Sequence, residues 1–301
     1  MKTLLKLGQQ KNSIVPILNR VTVINGQANA TDMDIEINSP LPNFESGVYY
    51  PYLDDVIVKD EESKMDDYPS LGLGVAIGLV TYRRKDLLDA LAFCSPAMST
   101  DKIRYYLNGI YFDGQKMAAT NGHILKVIDT GVNFPAKMIL PLQAVSYLTA
   151  LLKEKKTVET VDVQSHVKGF KFSVGDTVLK SRLVDGNFPD YTKVIPEHKK
   201  NTDFDLGQIA QYKKQIAALG KIAVHGKSPC ISLSNGLLKW LVVGPAYVME
   251  FPANLNLDIE IGFNYKYLLS MMSGKMSYGS AHDPVKIEED NKLCAIMPTR
   301  F

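Results

Sequence analysis

Three short hairpins set the architecture of this chain. Their turns are Asn25-Gly26, Asp113-Gly114 and Asn235-Gly236. Each sits between β-prone runs: Val21-Thr22-Val23-Ile24, Gly109-Ile110-Tyr111-Phe112 and Cys230-Ile231-Ser232-Leu233. Asn-Gly and Asp-Gly suit tight hairpins because both residues tolerate positive φ. A short segment with an apolar face follows each turn glycine after 26, 28 and 28 residues: Tyr52–Val58, Leu142–Leu152 and Asn264–Met272. Helices are expected there. Repetition at so regular a spacing implies one structural unit used three times.

Amphipathic helices are also expected before the hairpins. Arg83–Phe93 carries Leu87, Leu88, Leu91 and Ala92 as its apolar stripe, and Leu206–Ile222 carries Ile209, Ile216, Leu219 and Ile222. Basic residues collect opposite: Arg83, Arg84 and Lys85, then Lys213, Lys214 and Lys221. The shorter Met1–Lys11 carries Lys2, Lys6 and Lys11. A solvated helix face would explain any one of these, but the placement recurs. The units are unequal, because the first lacks most of its second half. Boundaries near 76 and 196 give units of 1–76, 77–196 and 197–301.

Composition narrows the function classes. The 301 residues hold 34 Lys and Arg against 32 Asp and Glu, which excludes a histone-like protein or an acidic tail. By unit, basic against acidic residues number 6 and 11, 16 and 11, and 12 and 10, so the positive excess falls on the second and third. The longest apolar run, Leu71–Val80, is about half the length needed to span a bilayer and reads as a buried strand. No signal peptide is read at the N-terminus. Cys94, Cys230 and Cys294 are dispersed and odd in number, which suits a reducing cytoplasm rather than a disulfide framework.

Enzyme signatures fail. No phosphate-cradling Gly-x-x-x-x-Gly-Lys-Ser/Thr loop exists, and Gly72, Gly74 and Gly78 miss the dinucleotide spacing by one position. None of the five histidines lies within four residues of another histidine or a cysteine, so no local metal-ligand pair is read. Ser99-Thr100-Asp101-Lys102 matches a nucleophile pattern but lacks its companion motifs.

Five ordered blocks carry a family resemblance. They are Arg104-Tyr105-Tyr106-Leu107-Asn108-Gly109, Ala119-Thr120-Asn121-Gly122-His123, Leu183-Val184-Asp185-Gly186-Asn187-Phe188-Pro189-Asp190-Tyr191, Ile261–Leu269 and the terminal Met297-Pro298-Thr299-Arg300-Phe301. The chain resembles the bacterial-type DNA sliding clamp, the β subunit of DNA polymerase III. The resemblance implies an α+β fold of three tandem clamp-type domains, with helices lining a central hole and antiparallel sheets outside. Two copies would close head to tail around double-stranded DNA. Such a clamp is not an enzyme, takes no cofactor or metal, and tethers replicative DNA polymerase and the clamp loader through short peptide motifs.

Two sites follow from the resemblance. The client-peptide cleft maps to Thr120, Gly122, His123, Ile124, Leu125, Pro189, Val194, Ala295, Met297, Pro298, Thr299 and Arg300. Ordinary core packing is the competing explanation for Leu125 and Met297. Ile124 stands where the family often has Arg, Thr299 where it often has Met, and Asn121 where it usually has Asp. The first two departures would suit a different client peptide. DNA contacts map to Tyr105 and Tyr106, with Lys102, Arg104, Arg83, Arg84, Lys213 and Lys214 as further candidates. Strand-end packing is the competing explanation for the tyrosines. The shortened first unit keeps open an alternative, a clamp-like interaction protein that binds peptides without forming a ring.

Overall fold

The computed structural model describes residues 1–9, 15–51, 57–219, 230–241, 248–252 and 255–299. They group into two compact units. One comprises Met1–Ala119 with Thr130–Phe188, and the other Thr120–Asp129 with Pro189–Phe301.

The first unit holds helices α1 (Lys2–Gly8), α2 (Arg84–Cys94) and α3 (Leu142–Glu154). Its main sheet has nine antiparallel strands, in the order Ile57–Asp60, Gly47–Pro51, Val21–Ile24, Gln27–Thr31, Ile35–Pro40, Thr177–Arg182, Gly169–Val174, Thr160–His166 and Ala76–Arg83. Strands Met138–Pro141, Gly109–Asp113 and Lys116–Thr120 pair separately.

Alternation explains which faces are buried. Val161, Val163 and Ser165 point inward from one strand, and Phe170, Phe172 and Val174 from its neighbour. Phe170 contacts the rings of Phe112 and Phe172 at 5.2 and 5.8 Å between centroids. Helix α3 buries Ala144, Val145, Leu148, Leu151 and Leu152, the spacing of one helical face. Each buried Leu or Phe contributes roughly 1.5–3 kcal/mol.

The hairpin turns form where expected, with differing geometry. Asn25 and Gly26 have φ of 49° and 74°, and Ile24 pairs with Gln27, which makes a type I′ turn. In the second hairpin Asp113 still pairs with Lys116, so the loop is Gly114-Gln115, with Gly114 at +61°. In the third, Ser234 pairs with Leu237 and Gly236 lies at +74°.

Several expectations need correction. Leu71–Val80 is not a buried strand. Leu71 and Leu73 are buried ahead of it, and the strand starts at Ala76 as the outermost member of its sheet. Its outer face leaves Ile77 and Leu79 52% and 59% exposed. On the covered face, a Cβ at Gly78 would sit 2.6 Å from Pro135, so only glycine fits. The stripe of α2 is Leu87, Ala90, Leu91 and Cys94, while Leu88 is half-buried and Ala92 exposed. Of the helix expected over Tyr52–Val58, residues 52–56 lie outside the described residues, and Val58 belongs to the strand Ile57–Asp60. Among the described residues, the first 76 place all five of their strands in the nine-stranded sheet.

Five strands of the second unit pair antiparallel in the order Ile124–Asp129, Lys292–Ile296, Val285–Glu289, Gly274–Tyr278, Lys200–Phe204. A four-stranded sheet follows, in the order Val248–Pro252, Leu237–Leu241, Cys230–Ser234, Ile261–Asn264. The helix expected over Leu206–Ile222 is two pieces, α4 (Leu206–Ala210) and α5 (Lys213–Leu219). At the break Tyr212 packs its ring 4.6 Å from that of Phe251. The Leu219 side chain and residues 220–222 lie outside the described residues. Asp205 caps α4 by accepting from Gly207 N at 2.8 Å. The helix expected over Asn264–Met272 is only α6 (Tyr265–Leu268), capped by Asn264. Ser270 Oγ donates to Tyr267 O at 2.8 Å, a local bond that competes with helix continuation.

One buried ion pair gives the first unit a pH signature. Arg20 Nε donates to Asp60 Oδ2 at 2.7 Å while its guanidinium lies 3.7 Å from the Tyr50 ring centroid. Burial opposes ionisation of Asp60, but hydrogen bonds from Arg20, Ser63 and the Glu62 amide outweigh it and hold the carboxyl down at about 2. A lowered folded value means the stabilisation is complete above the ordinary carboxylate value of 3.8 and disappears as pH falls through 2. Allowing for solvent screening, about 1–2 kcal/mol is at stake. Urea unfolding of wild type and Asp60→Asn should therefore differ by that amount at pH 7 and converge toward pH 2. A gap that stays constant with pH would contradict this origin.

Candidate peptide cleft and nucleic-acid interface

The cleft residues begin with a turn that the sequence specifies locally. Thr120 Oγ1 donates to Ile124 O at 2.8 Å and accepts from Gly122 N at 3.1 Å. Asn121 Oδ1 accepts from His123 N and Ile124 N at 3.0 and 3.1 Å. An Asn oxygen serves this turn as an Asp oxygen would. Gly122 has φ of 90°, which disfavours a side chain there.

The same turn occurs at Thr31-Asp32-Met33-Asp34-Ile35. Thr31 Oγ1 donates to Ile35 O at 2.8 Å, and Asp32 Oδ1 accepts from Asp34 N and Ile35 N at 3.0 and 2.6 Å. Met33 takes the left-handed position at 76°. The match extends outward. Met297 N donates to His123 O at 2.8 Å, as Arg182 N does to Asp34 O. Thr299 N donates to Gly262 O at 2.7 Å, as Val184 N does to Ile139 O at 3.0 Å. These backbone bonds thus belong to the shared fold. The side chains differ: His123 against Asp34, Leu125 against Glu36, Met297 against Arg182. At the earlier turn, ion pairs fill these places, with Lys180 Nζ 2.7 Å from Glu36 Oε1 and Arg182 Nε 3.8 Å from Asp34 Oδ1.

In the second unit apolar side chains stand in two of these places, Leu125 for Glu36 and Met297 for Arg182. Met297 is 43% exposed and Val194 60% exposed. The His123 ring stacks on Tyr267 at 5.7 Å and 20° between planes. Pro189 is exposed ahead of the 3-10 turn Tyr191–Val194, which Asp190 caps through Thr192 N. Pro298 and Thr299 are half-buried, and Arg300 lies outside the described residues. Ile124, Leu125 and Ala295 are buried at 1%, 3% and 5% exposure. They sit in paired strands, Ile124 opposite Ile296 and Leu125 opposite Ala295, where neighbouring side chains point to opposite faces of the sheet. Core packing therefore describes Leu125 but not Met297. Tyr267 was not singled out as a site residue. The aromatic at the start of a short helix in the Ile261–Leu269 block was its available signal.

The basic and aromatic candidates separate in the same way. Tyr105 is 51% exposed and meets Tyr106 edge-on at 5.9 Å. A Cβ at Gly186 would lie 3.0 Å from Tyr106 Cβ, so this glycine, another residue not singled out, lets the Leu183–Tyr191 block approach the pair. Arg104 pairs with Asp101 at 3.0 Å, and Lys102 is exposed. The Asp101 carboxyl is held below its ordinary value, first by the Ile103 amide and then by Arg104. Arg83 is exposed and pairs with Asp86 at 2.8 Å. Arg84 does not present a free cation. It is 7% exposed and donates to Val158 O and Leu152 O at 2.8 and 2.9 Å. Lys214 is exposed on α5, and the side chain of Lys213 lies outside what is described.

Other reactive groups are occupied structurally. Ser99 is buried and its Oγ accepts from Asp101 N at 3.0 Å. Burial pushes Cys230 up to about 11 and Cys294 up to about 12, which keeps both as thiols. Among the described residues, no three His, Cys, Asp or Glu side chains cluster to hold a metal. No described helix is long and apolar enough to cross a membrane.

Comparison with known proteins agrees with these features. Residues 83–190 match the family model for the DNA polymerase III beta subunit, central domain. A beta sliding clamp from Proteus mirabilis is 31% identical over 238 residues, covering 72% of this chain and 63% of its own length. The Escherichia coli K12 beta sliding clamp is 30% identical over 262 residues, covering 79% of this chain and 68% of its own. The chain thus spans under two thirds of the first of these relatives. The crystal structure of a Bartonella birtlesii sliding clamp bound to griselimycin superposes with a TM-score of 0.82 at 24% identity, over 99% of this chain and 95% of that one. A Pseudomonas aeruginosa DNA polymerase sliding clamp gives 0.80 at 23%, over 99% and 98%. The fold is the α+β DNA clamp fold, and by sequence the chain belongs to the beta sliding clamp family.

Proposed function

We propose that the chain is a DNA sliding clamp, a non-catalytic processivity factor. On this reading its domains are 1–76, 77–196 and 197–301. Two copies join head to tail around double-stranded DNA in the cytoplasm and hold replicative polymerase and clamp loader by short peptides. The observation that carries it is the exposed apolar Met297, bonded through its amide to His123, whose ring stacks on Tyr267, within a chain of this family. Exposed apolar side chains beside fixed backbone groups suit anchoring of a short peptide. On the DNA side, exposed Lys102, Arg83 and Lys214 favour phosphate without reading bases, and Tyr105 and Tyr106 offer stacking faces to unpaired template. Phosphate contacts of this kind weaken with salt, which lets a ring slide.

The test combines mass and topology. Light scattering at micromolar concentration should give the mass of two chains. The protein should remain on nicked circular DNA and run off the same DNA once linearised. A one-chain mass together with equal loss from both DNAs would remove the ring.

A further inference from the structure

We propose that the strand Ala76–Arg83 is a self-association edge: a second copy of this chain adds its own Ala76–Arg83 strand antiparallel to it, across a twofold axis at Leu79. The proposal goes beyond the reading above and does not depend on ring closure, on DNA or on the peptide cleft.

Among the described residues this strand is the last of nine and pairs on one side only, with Thr160–His166. Its other side presents a row of backbone N–H and C=O groups, and a further strand is what satisfies such a row. The side chains leave that edge open. Val80 lies opposite buried Val163 on the covered face, yet is itself only half-buried. On the outer face Ile77 and Leu79 are more than half exposed. Val75 precedes them, and its carbonyl accepts from the amide of Val167, another exposed apolar residue, at 3.0 Å. Folded proteins blunt a free edge with Lys, Pro or a charge. From Val75 to Tyr82 there is no Lys, Arg, Asp, Glu or Pro. Ser165 pairs with Gly78 and His166 with Ala76, so a bulge falls at Ile77 and the strand is regular from Gly78 to Arg83. Leu79 is the exposed apolar residue of that regular part.

The charge pattern selects the occupant. A strand accepts its own copy across a twofold only when its sequence does not oppose itself. With the axis at Leu79, Leu79 faces Leu79 of the second copy, and Ile77 faces Thr81. Arg83 faces Val75, so the two arginines lie at opposite ends of the pairing, and each is already paired with Asp86 of its own chain. Facing residues share one side of the joined sheet, which gathers both copies of Leu79 and Ile77 on the outer face. A single strand pair buries less than the roughly 1,200 Å² of a standard interface, so the contact is weak in dilute solution and concentration drives it.

The test is sedimentation velocity on the full chain, from micromolar to near-millimolar concentration, for wild type, Leu79→Lys and Leu79→Ile. Wild type should grow to twice the mass it has at the lowest concentration. Leu79→Lys sets two cations opposite each other and should need at least about tenfold more protein for the same growth. Leu79→Ile should associate as wild type does. Thermal unfolding at the lowest concentration should be alike in all three, because the Leu79 side chain is exposed. A wild-type mass that stays constant, or equal growth in Leu79→Lys, would overturn the proposal. A starting mass of one chain that still doubles in wild type and not in Leu79→Lys would remove the ring and support this edge. If wild type did not grow but Leu79→Lys lost capture of a client protein, the edge would belong to a different partner and the proposal would fall.

Discussion

Met297→Asp is expected to weaken capture of a client peptide by at least about tenfold while leaving the unfolding curve in place. Leu125→Asp is expected to do the reverse. Met297 is 43% exposed, and only its backbone amide takes part in the fold, through His123 O. Its side chain can change without opening a cavity, and a carboxylate there opposes an apolar anchor. Leu125 is 3% exposed in a strand paired on Ala295. A carboxylate at that position is a buried, unpaired charge and should cost about 4 kcal/mol or more. Peptide titration by calorimetry, paired with urea unfolding, separates the two. If Met297→Asp unfolded the protein, or bound peptide as wild type does, the cleft would need a different centre.

The adjacent arginines offer the second contrast. Arg84→Met should destabilise the chain by about 3 kcal/mol, because it strands the Val158 and Leu152 carbonyls that the guanidinium satisfies. Leu152 lies in the last turn of α3, where a cation also complements the helix end. Arg83→Met should change stability by less than about 0.5 kcal/mol, since its pair with Asp86 is a surface ion pair. It should instead weaken DNA binding and lower the salt dependence by about one phosphate contact. Chemical denaturation and a salt titration of DNA affinity read both. A mild Arg84→Met phenotype would mean that water replaces the lost donors.

Which features were legible in the sequence depended on how locally they are determined. The hairpins were legible because two-residue loops demand Gly at positive φ, and Gly26, Gly114 and Gly236 supply it. Helix α3 was legible because Ala144, Val145, Leu148 and Leu151 repeat on one face without interruption. Arg84 misled because a cation beside two others on a helix looks solvated, and only the tertiary fold brings Val158 O and Leu152 O to it. Ile77 and Leu79 misled because an apolar run says nothing about whether its strand lies inside a sheet or at its margin. The pairing of Ile35–Pro40 with Thr177–Arg182 links residues about 140 positions apart, and no local signal announces it. At the site, the turn at Thr120–Ile124 was readable from Thr and Asn spacing, whereas the opposite exposures of Leu125 and Met297 were not.

The twin turns at Thr31 and Thr120 give the molecule an internal control. One copy builds its hydrogen bonds under ion pairs, the other under apolar side chains. The energetic demand of the turn can be measured at the first, where no peptide is expected to dock. Subtracting that value from the same substitution at the second isolates what docking alone requires. Few binding sites come with a reference state in the same polypeptide, under the same solvent and the same unfolding baseline.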